Sequence, residues 1–188
     1  MSKKVLILNG SPRLKGNTAV LSQRLAAGAR ESGAEAEIIY LHGMDIQACD
    51  ACEGCQTGGK GCVIGDDMQD IYPKLRISDA IVIASPVYWY SMTAQMKLCI
   101  DRWYALESGQ DFELKGKRLS LLMVYGDNDL YSSGGITVIH TLEGCCRYVG
   151  MDFDGLVHGS AMDIGDAEKN PVLLDKAYQL GKELAQSS

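Results

Sequence analysis

Residues Ala80-Ile81-Val82-Ile83-Ala84 form an unbroken apolar run, and that run restricts the fold more than any other feature of the chain. A strand with one wet face alternates apolar and polar residues, whereas a strand inside a parallel sheet is covered on both faces and reads as continuous Val, Ile, Leu or Ala. Val5 to Asn9 has the same character, and Ala36 to Leu41, Leu119 to Tyr125 and Phe153 to Val157 supply three further β runs. Between them apolar residues recur at helical spacing: Leu21, Leu25 and Ala29; Met68, Ile71 and Leu75; Met92, Met96, Cys99 and Trp103; Ile139, Leu142, Cys146 and Val149; and Leu173, Ala177, Leu180 and Leu184. Strict alternation with helix-length crossovers predicts an α/β fold: a five-stranded parallel sheet with helices on both faces and strand order 2-1-3-4-5. The 188 residues are expected to form one compact domain, 1–188.

Gly33 is placed to close the first helix, and Asn170-Pro171 to open the last. Asp66 and Gln69 have capping-box spacing ahead of the helix from Met68, which Pro73 is expected to kink or split. One stretch has no period at all. This Cys/Gly-rich loop, at about 43–65, is long for a compact domain and is therefore expected to be functional.

In a sheet of that order, ligands bind beyond the carboxyl ends of the strands, where successive connections leave in opposite directions. Three loops are expected to converge there. The first, Gly10 to Thr18, opens a helix, so free backbone N–H groups and the helix dipole favour an anion. Ser11, Asn17 and Thr18 add neutral donors, Arg13 adds a charged one, and Gly16 punctuates the turn. The glycine spacing is neither Gly-x-Gly-x-x-Gly nor that of a Walker A loop, which favours a phosphate monoester over a pyrophosphate or nucleoside triphosphate. The competing reading is a plain strand-to-helix turn with Ser11 or Asn17 as N-cap. The second loop, Pro86-Val87-Tyr88-Trp89-Tyr90, sets three rings in succession, more than a loop can turn into the core. They suit a large planar ligand or, alternatively, a subunit contact. The third, Tyr125-Gly126-Asp127, completes the candidate binding set.

A formal net charge of −6 leaves no basic surface for nucleic acid. Lys3-Lys4 followed by Val5 to Leu8 is too short for an export signal or a membrane span, so no membrane partner and a cytoplasmic location are expected. In that compartment the seven cysteines are expected as thiols, metal ligands or catalytic groups, not disulfides. Cys99, Cys145 and Cys146 fall in helical patterns and read as core. His42, His140 and His158 are too scattered to form a site.

Four separated stretches carry a resemblance: Gly10-Ser11-Pro12-Arg13 with Gly16-Asn17-Thr18; the cysteine stretch leading into Cys62-Val63-Ile64-Gly65-Asp66-Asp67-Met68; Ser85-Pro86-Val87-Tyr88-Trp89; and Leu98-Cys99-Ile100-Asp101-Arg102. In this order they resemble the NADPH-dependent FMN reductase-like proteins and, more narrowly, the iron–sulfur flavoproteins within the flavodoxin superfamily. The likeness covers most of the chain. It implies a flavodoxin-like three-layer sandwich and FMN, with its phosphate at Ser11, Arg13, Asn17 and Thr18 and its ring against Pro86 to Tyr90 and the loop after Tyr125. It also implies a homodimer or homotetramer in which a neighbouring subunit helps close the flavin site. Asp101 and Arg102 match a signature of the family too, and read as a helix-end ion pair or a subunit contact.

The spacing Cys49-x2-Cys52-x2-Cys55-x6-Cys62 resembles the compact cluster motif of the iron–sulfur flavoproteins, and it supplies the four thiolates that a [4Fe–4S] cluster needs. Gly54, Gly58, Gly59 and Gly61 permit tight wrapping. No proline follows Cys62, unlike bacterial ferredoxin runs, and the same cysteines would also serve a tetrahedral zinc site or stand as metal-free thiols. The resemblance thus implies an FMN oxidoreductase that passes electrons from NAD(P)H or a ferredoxin-like donor to a small acceptor such as a quinone or flavin. The flavin, with no side-chain acid or base, would carry the chemistry. The alternative is an electron-transfer module relaying between protein partners without turning over a small substrate.

Overall fold

The computed structural model describes residues 2–58, 61–108 and 111–186; Gly59 of the cysteine loop lies outside them. Along the chain the strands are β1 (Lys4–Asn9), β2 (Glu35–Tyr40), β3 (Ala80–Pro86), β4 (Glu107–Ser108), β5 (Asp111–Phe112), β6 (Arg118–Tyr125) and β7 (Asp152–Ser160). Five of them form one parallel sheet in the order β2-β1-β3-β6-β7, while β4 and β5 pair antiparallel with each other. The winding is the expected one, but its fourth and fifth strands are sixth and seventh in the chain. The small hairpin falls between them and β3, and two-residue strands carry no period from which they could be read.

The helices are α1 (Asn17–Glu31), α2 (Gly54–Gly58), α3 (Met68–Ile77), α4 (Ala94–Asp101), α5 (Gly135–Val149) and α6 (Pro171–Leu184), with a 3-10 turn over Arg102–Leu106 after α4. They explain why the strands are apolar on both sides. Val5, Ile7, Val82 and Leu122 pack with Leu21 and Leu25 of α1 and Leu173 and Leu180 of α6. Leu6, Leu8, Ile83 and Leu121 pack with Ile71 of α3, Met96 of α4 and Leu142 of α5. Each such side chain buried contributes about 1.5–3 kcal/mol, and the sheet keeps both layers dry. On the first face α1 and α6 meet backbone to backbone: a Cβ at Gly28 would stand 2.1 Å from the Tyr178 carbonyl oxygen, and one at Gly181 2.0 Å from that of Leu25. Glycine is what lets the two helices approach so closely.

Two local expectations are corrected. α3 runs unbroken through Pro73. Proline there withholds one N–H from the preceding turn, and the buried Met68, Ile71, Tyr72 and Leu75 hold the helix on the sheet. The capping box of Asp66 and Gln69 does not form either. Asp66 Oδ1 accepts from the Met68 N–H at 3.1 Å, while the Gln69 amide donates back to the carbonyls of Cys62 and Ile64. Both side chains tie down the cysteine loop, which itself contains the short α2. Asn170 does cap α6, its Oδ1 accepting from the Leu173 N–H at 3.0 Å with Pro171 in the first helical position. Among the described residues no helix is long and apolar enough to cross a membrane.

Candidate functional site

At the carboxyl edge of the sheet, buried polar residues fix the turns that leave it. Asn9, the last residue of β1 and fully buried, accepts from the Ser11 N–H at 2.9 Å and donates to Ser22 Oγ at 3.0 Å. Thr93 Oγ1 donates to the Gly10 carbonyl at 2.7 Å, joining this loop to the start of α4. α1 then begins after Gly16, which has no side chain to cap it, so the N–H groups of the first turn remain available to an anion.

The loops after β1, β3 and β6 converge as expected. A cleft of about 410 Å³ is lined by Ser11, Arg13, Gly16, Asn17 and Thr18 from the first, by Pro86, Val87, Tyr88 and Trp89 from the second, and by Tyr125 and Gly126 from the third. Asn17 offers its backbone rather than its amide. Its Nδ2 donates to the carbonyls of Ala161 and Asp163 at 3.1 and 2.8 Å, and its Oδ1 accepts from the Ala167 N–H at 3.1 Å. Its side chain thereby clamps the segment after β7, and Ala161 and Met162 of that segment, with Val124 of β6, complete the lining.

Two expected residues are not brought into the lining. Asp127 Oδ1 accepts from the Asn128 N–H within its own loop. Tyr90 packs instead on the start of α5: a Cβ at Gly134 (φ +78°) would lie 2.3 Å from its ring. Tyr88 and Ser91 exchange backbone hydrogen bonds of 2.8 and 3.0 Å, leaving Trp89 (φ 47°) and Tyr90 (φ 62°) as the two residues of a tight turn. Both lie in the left-handed region, where bulky residues are strained and Asn-Gly is the usual choice. The turn holds Trp89 96% exposed at the mouth of the cleft.

A second hollow lies in the cysteine loop. Cys49, Cys52, Cys55 and Cys62 all line it, together with Ile64, Arg102, Tyr104 and Ala105. Among the described residues no three His, Cys, Asp or Glu converge closely enough to hold a single ion. Ala51 and Glu53, which alternate with the first cysteines, have φ of 55° and 59°, a left-handed winding that non-glycine residues adopt at a cost. The base of the loop is clamped by Asp66 and Arg102, whose side chains are 0% and 1% exposed. Arg102 Nη1 and Nη2 both donate to the Asp66 carboxylate, Nη1 also to the Gln47 carbonyl at 2.8 Å, and Nη2 to Cys62 Sγ at 3.2 Å. Asp66 in turn accepts from the Gln47 N–H at 2.9 Å. Burial opposes its charge, but Arg102 and the backbone N–H groups of Gln47 and Met68 outweigh that and hold the carboxyl below its ordinary 3.8. The expected ion pair at the end of α4 is thus divided: Asp101 pairs with Lys97 on the surface, and Arg102 turns inward.

The profile of the family described as NADPH-dependent FMN reductase matches residues 3–151. The chain belongs to that family. It is 32% identical to an iron–sulfur flavoprotein of Methanocaldococcus jannaschii, over 97% of this chain and 96% of that protein. It is 31% identical to an iron–sulfur flavoprotein of Archaeoglobus fulgidus, over 98% and 80%. A solved NAD(P)H:quinone oxidoreductase from Methanothermobacter marburgensis covers 100% of both chains with a TM-score of 0.75 at 17% identity, a likeness of fold. As a member of the NADPH-dependent FMN reductase family, the chain is a flavin oxidoreductase.

Sequence reasoning missed three features of this FMN reductase-family chain. Ala161 and Met162 escaped because only three strand ends were considered, and the end of the fifth strand of the sheet reaches the same edge. His158, set aside as scattered, places Nδ1 3.0 Å from Tyr125 Oη behind the cleft. Burial and the nearby Lys176 lower its pKa, favouring a neutral ring that can accept from the tyrosine. The inward turn of Arg102 had no sequence signal, since its partners lie 36 and 40 residues away. Cys99 and Cys146 are core as read, burial pushing both thiols up to about 12. Cys145 is half-buried.

Proposed function

We propose that the cleft binds FMN, and that the protein passes electrons from a reduced nicotinamide or a ferredoxin-like donor to a small acceptor such as a quinone or free flavin. The observation that carries this reading is one cleft lined both by anion donors, Ser11, Arg13 and Thr18, and by an apolar, aromatic set, Pro86, Val87, Tyr88 and Trp89. The N–H groups opening α1, the buried Ser11 and Thr18 and the cationic Arg13 would hold the phosphate. Pro86, Val87, Tyr88 and Trp89 would face the ring, with Gly126 opposite and Met162 at the rim. When bound, FMN supplies reversible two-electron and one-electron chemistry, and the protein's part is position and electrostatics. The exposed Trp89 and Met162 at the mouth suit a second copy of the chain in a homodimer or homotetramer, which would shield the ring from water.

The four cysteines are proposed to carry a [4Fe–4S] cluster. All four line one hollow, and a cube takes one thiolate at each of its four irons. Protein purified anaerobically should show flavin absorbance, with iron and acid-labile sulfide in equal amounts, and should oxidise NADH or NADPH with a quinone or free flavin. Absence of bound flavin after reconstitution would refute the cleft assignment. A bound cofactor without turnover of any small acceptor would favour relay between protein partners.

A further inference from the structure

The guanidinium of Arg102 is the most deeply buried cation in the molecule's two candidate sites, and its hydrogen bonds are asymmetric. Its terminal nitrogens serve Asp66 and the Gln47 carbonyl. Its other edge is formed by Nε and Nη2. Along that edge Nη2 donates to Cys62 Sγ at 3.2 Å, and Nε has no hydrogen-bond partner among the described residues although it is fully buried. Arg102 also lines the hollow shared by all four cysteines. A buried N–H without an acceptor is costly, and beside it Nη2 already turns one of its hydrogens toward a cysteine sulfur.

We propose that Arg102 is a positioning residue that presents its Nε and Nη2 edge to the sulfur atoms of the cluster held by Cys49, Cys52, Cys55 and Cys62, and so raises the reduction potential of that cluster. Asp66 fixes the plane of the fork by accepting from its far end. Hydrogen bonds to the sulfurs and local charge are principal determinants of cluster potential, and a fixed cation favours the more negative, reduced state. The inference rests on the cluster reading of the cysteines.

The test compares wild type, Arg102→Lys and Asp66→Asn, each purified anaerobically, by iron and sulfide content and by a potentiometric titration followed by electron paramagnetic resonance. Bound-flavin absorbance reports that each variant is folded. Lysine keeps the charge but loses the planar edge. The Lys variant is expected to show about a tenfold lower ratio of reduced to oxidised cluster at a fixed poise, a shift of about −59 mV for one electron. Asp66→Asn, which breaks the brace and leaves the edge, is expected to shift less. A double variant, Asp66→Asn with Arg102→Gln, removes both buried charges together, so their electrostatic effects offset and the lost hydrogen-bonding edge remains; if the single Lys variant does not fold, this one should still lower the potential. Wild type without iron would overturn the cluster reading and the inference with it. Iron-loaded wild type and variants of equal potential, or an Asp66→Asn effect as large as that of Arg102→Lys, would overturn the inference alone.

Discussion

The cleft and the cysteine hollow lie in one chain but are built by different means. The cleft stands on strand ends whose residues are buried on both faces, and its turns are pinned by buried Asn9 and Thr93 and by the side chain of Asn17. The cysteine hollow stands on a loop in which Cys49 and Cys52 are exposed. It is held to the body of the protein by the Asp66–Arg102 clamp, by the Gln69 amide, by packing of Cys55 and Cys62 on the core, and by two contacts of Tyr104, whose carbonyl accepts from Gln56 and whose hydroxyl donates to Glu53. Both regions contain left-handed non-glycine residues, but those of the cleft directly follow a buried strand, whereas Ala51 and Glu53 lie on an exposed stretch of loop. A site made by the fold keeps its shape without its ligand, whereas a site made by a few side chains on a loop depends on its ligand for order.

The largest expected effect separates the two outright. Cys62→Ser should reduce bound iron and sulfide to background while the ratio of flavin to protein stays at the wild-type value; simultaneous loss of flavin would show that the regions are not independent. The converse change acts on the cleft. Ser11→Ala with Thr18→Val removes two hydroxyls from the anion end, and hydrogen bonds to charged groups contribute about 1.5–3 kcal/mol each, so flavin should bind on the order of 100- to 10,000-fold more weakly. Fluorescence titration measures the loss, and iron content should be unchanged.

The comparison also accounts for what could be read from the chain alone. The sheet was legible because Val5 to Asn9 and Ala80 to Ala84 are apolar on both faces, a pattern that only a covered parallel strand requires. Most of the cleft was legible because topology decides which loops share an edge. Tyr90 was misplaced because its direction is set by the left-handed turn at Trp89 and by contact with Gly134, both tertiary facts. The same holds for Asn17: its residue type announces a donor, and only the fold reveals that Ala161 and Asp163 already take its amide. In the cysteine loop the spacing picked out four cysteines that line one hollow, but the clamp beneath them joins residues far apart in sequence and leaves no periodic trace.

If strain in the cleft is held by the scaffold for the sake of the ligand, relieving it should stabilise the protein and weaken binding at once. Trp89→Asn with Tyr90→Gly supplies the residues that such a turn prefers. Left-handed non-glycine residues cost about 1–3 kcal/mol each, and Tyr90 is largely exposed, so the packing lost is chiefly its contact with Gly134. The double variant should melt a few degrees higher. It should bind flavin roughly two- to tenfold more weakly through lost aromatic contact, an effect of about 0.5–1.5 kcal/mol. A variant that is less stable would mean that the turn is held by packing rather than strained.

The smallest expected effect is one of pH, and it falls on the loop alone. The folded pKa of Asp66 lies below its ordinary 3.8 because Arg102 and the N–H groups of Gln47 and Met68 outweigh the opposing effect of burial. A depressed carboxyl contributes stability that is fully present above the unfolded pKa and is lost as pH falls through the folded value. Acidification below about pH 4 should therefore loosen the clamp while leaving Asn9 and Thr93, which do not titrate in that range, in place. Hydrogen exchange of metal-free protein, corrected for the intrinsic pH dependence, should show protection near Gln47 and Met68 declining before that of β1 and β3. Asp66→Asn should abolish this acid step, lowering protection near Gln47 at neutral pH to a level that no longer changes on acidification. If the two regions lost protection together, the clamp would belong to the same cooperative unit as the sheet, and the contrast between a site built by the fold and one built by side chains would fail at its hinge.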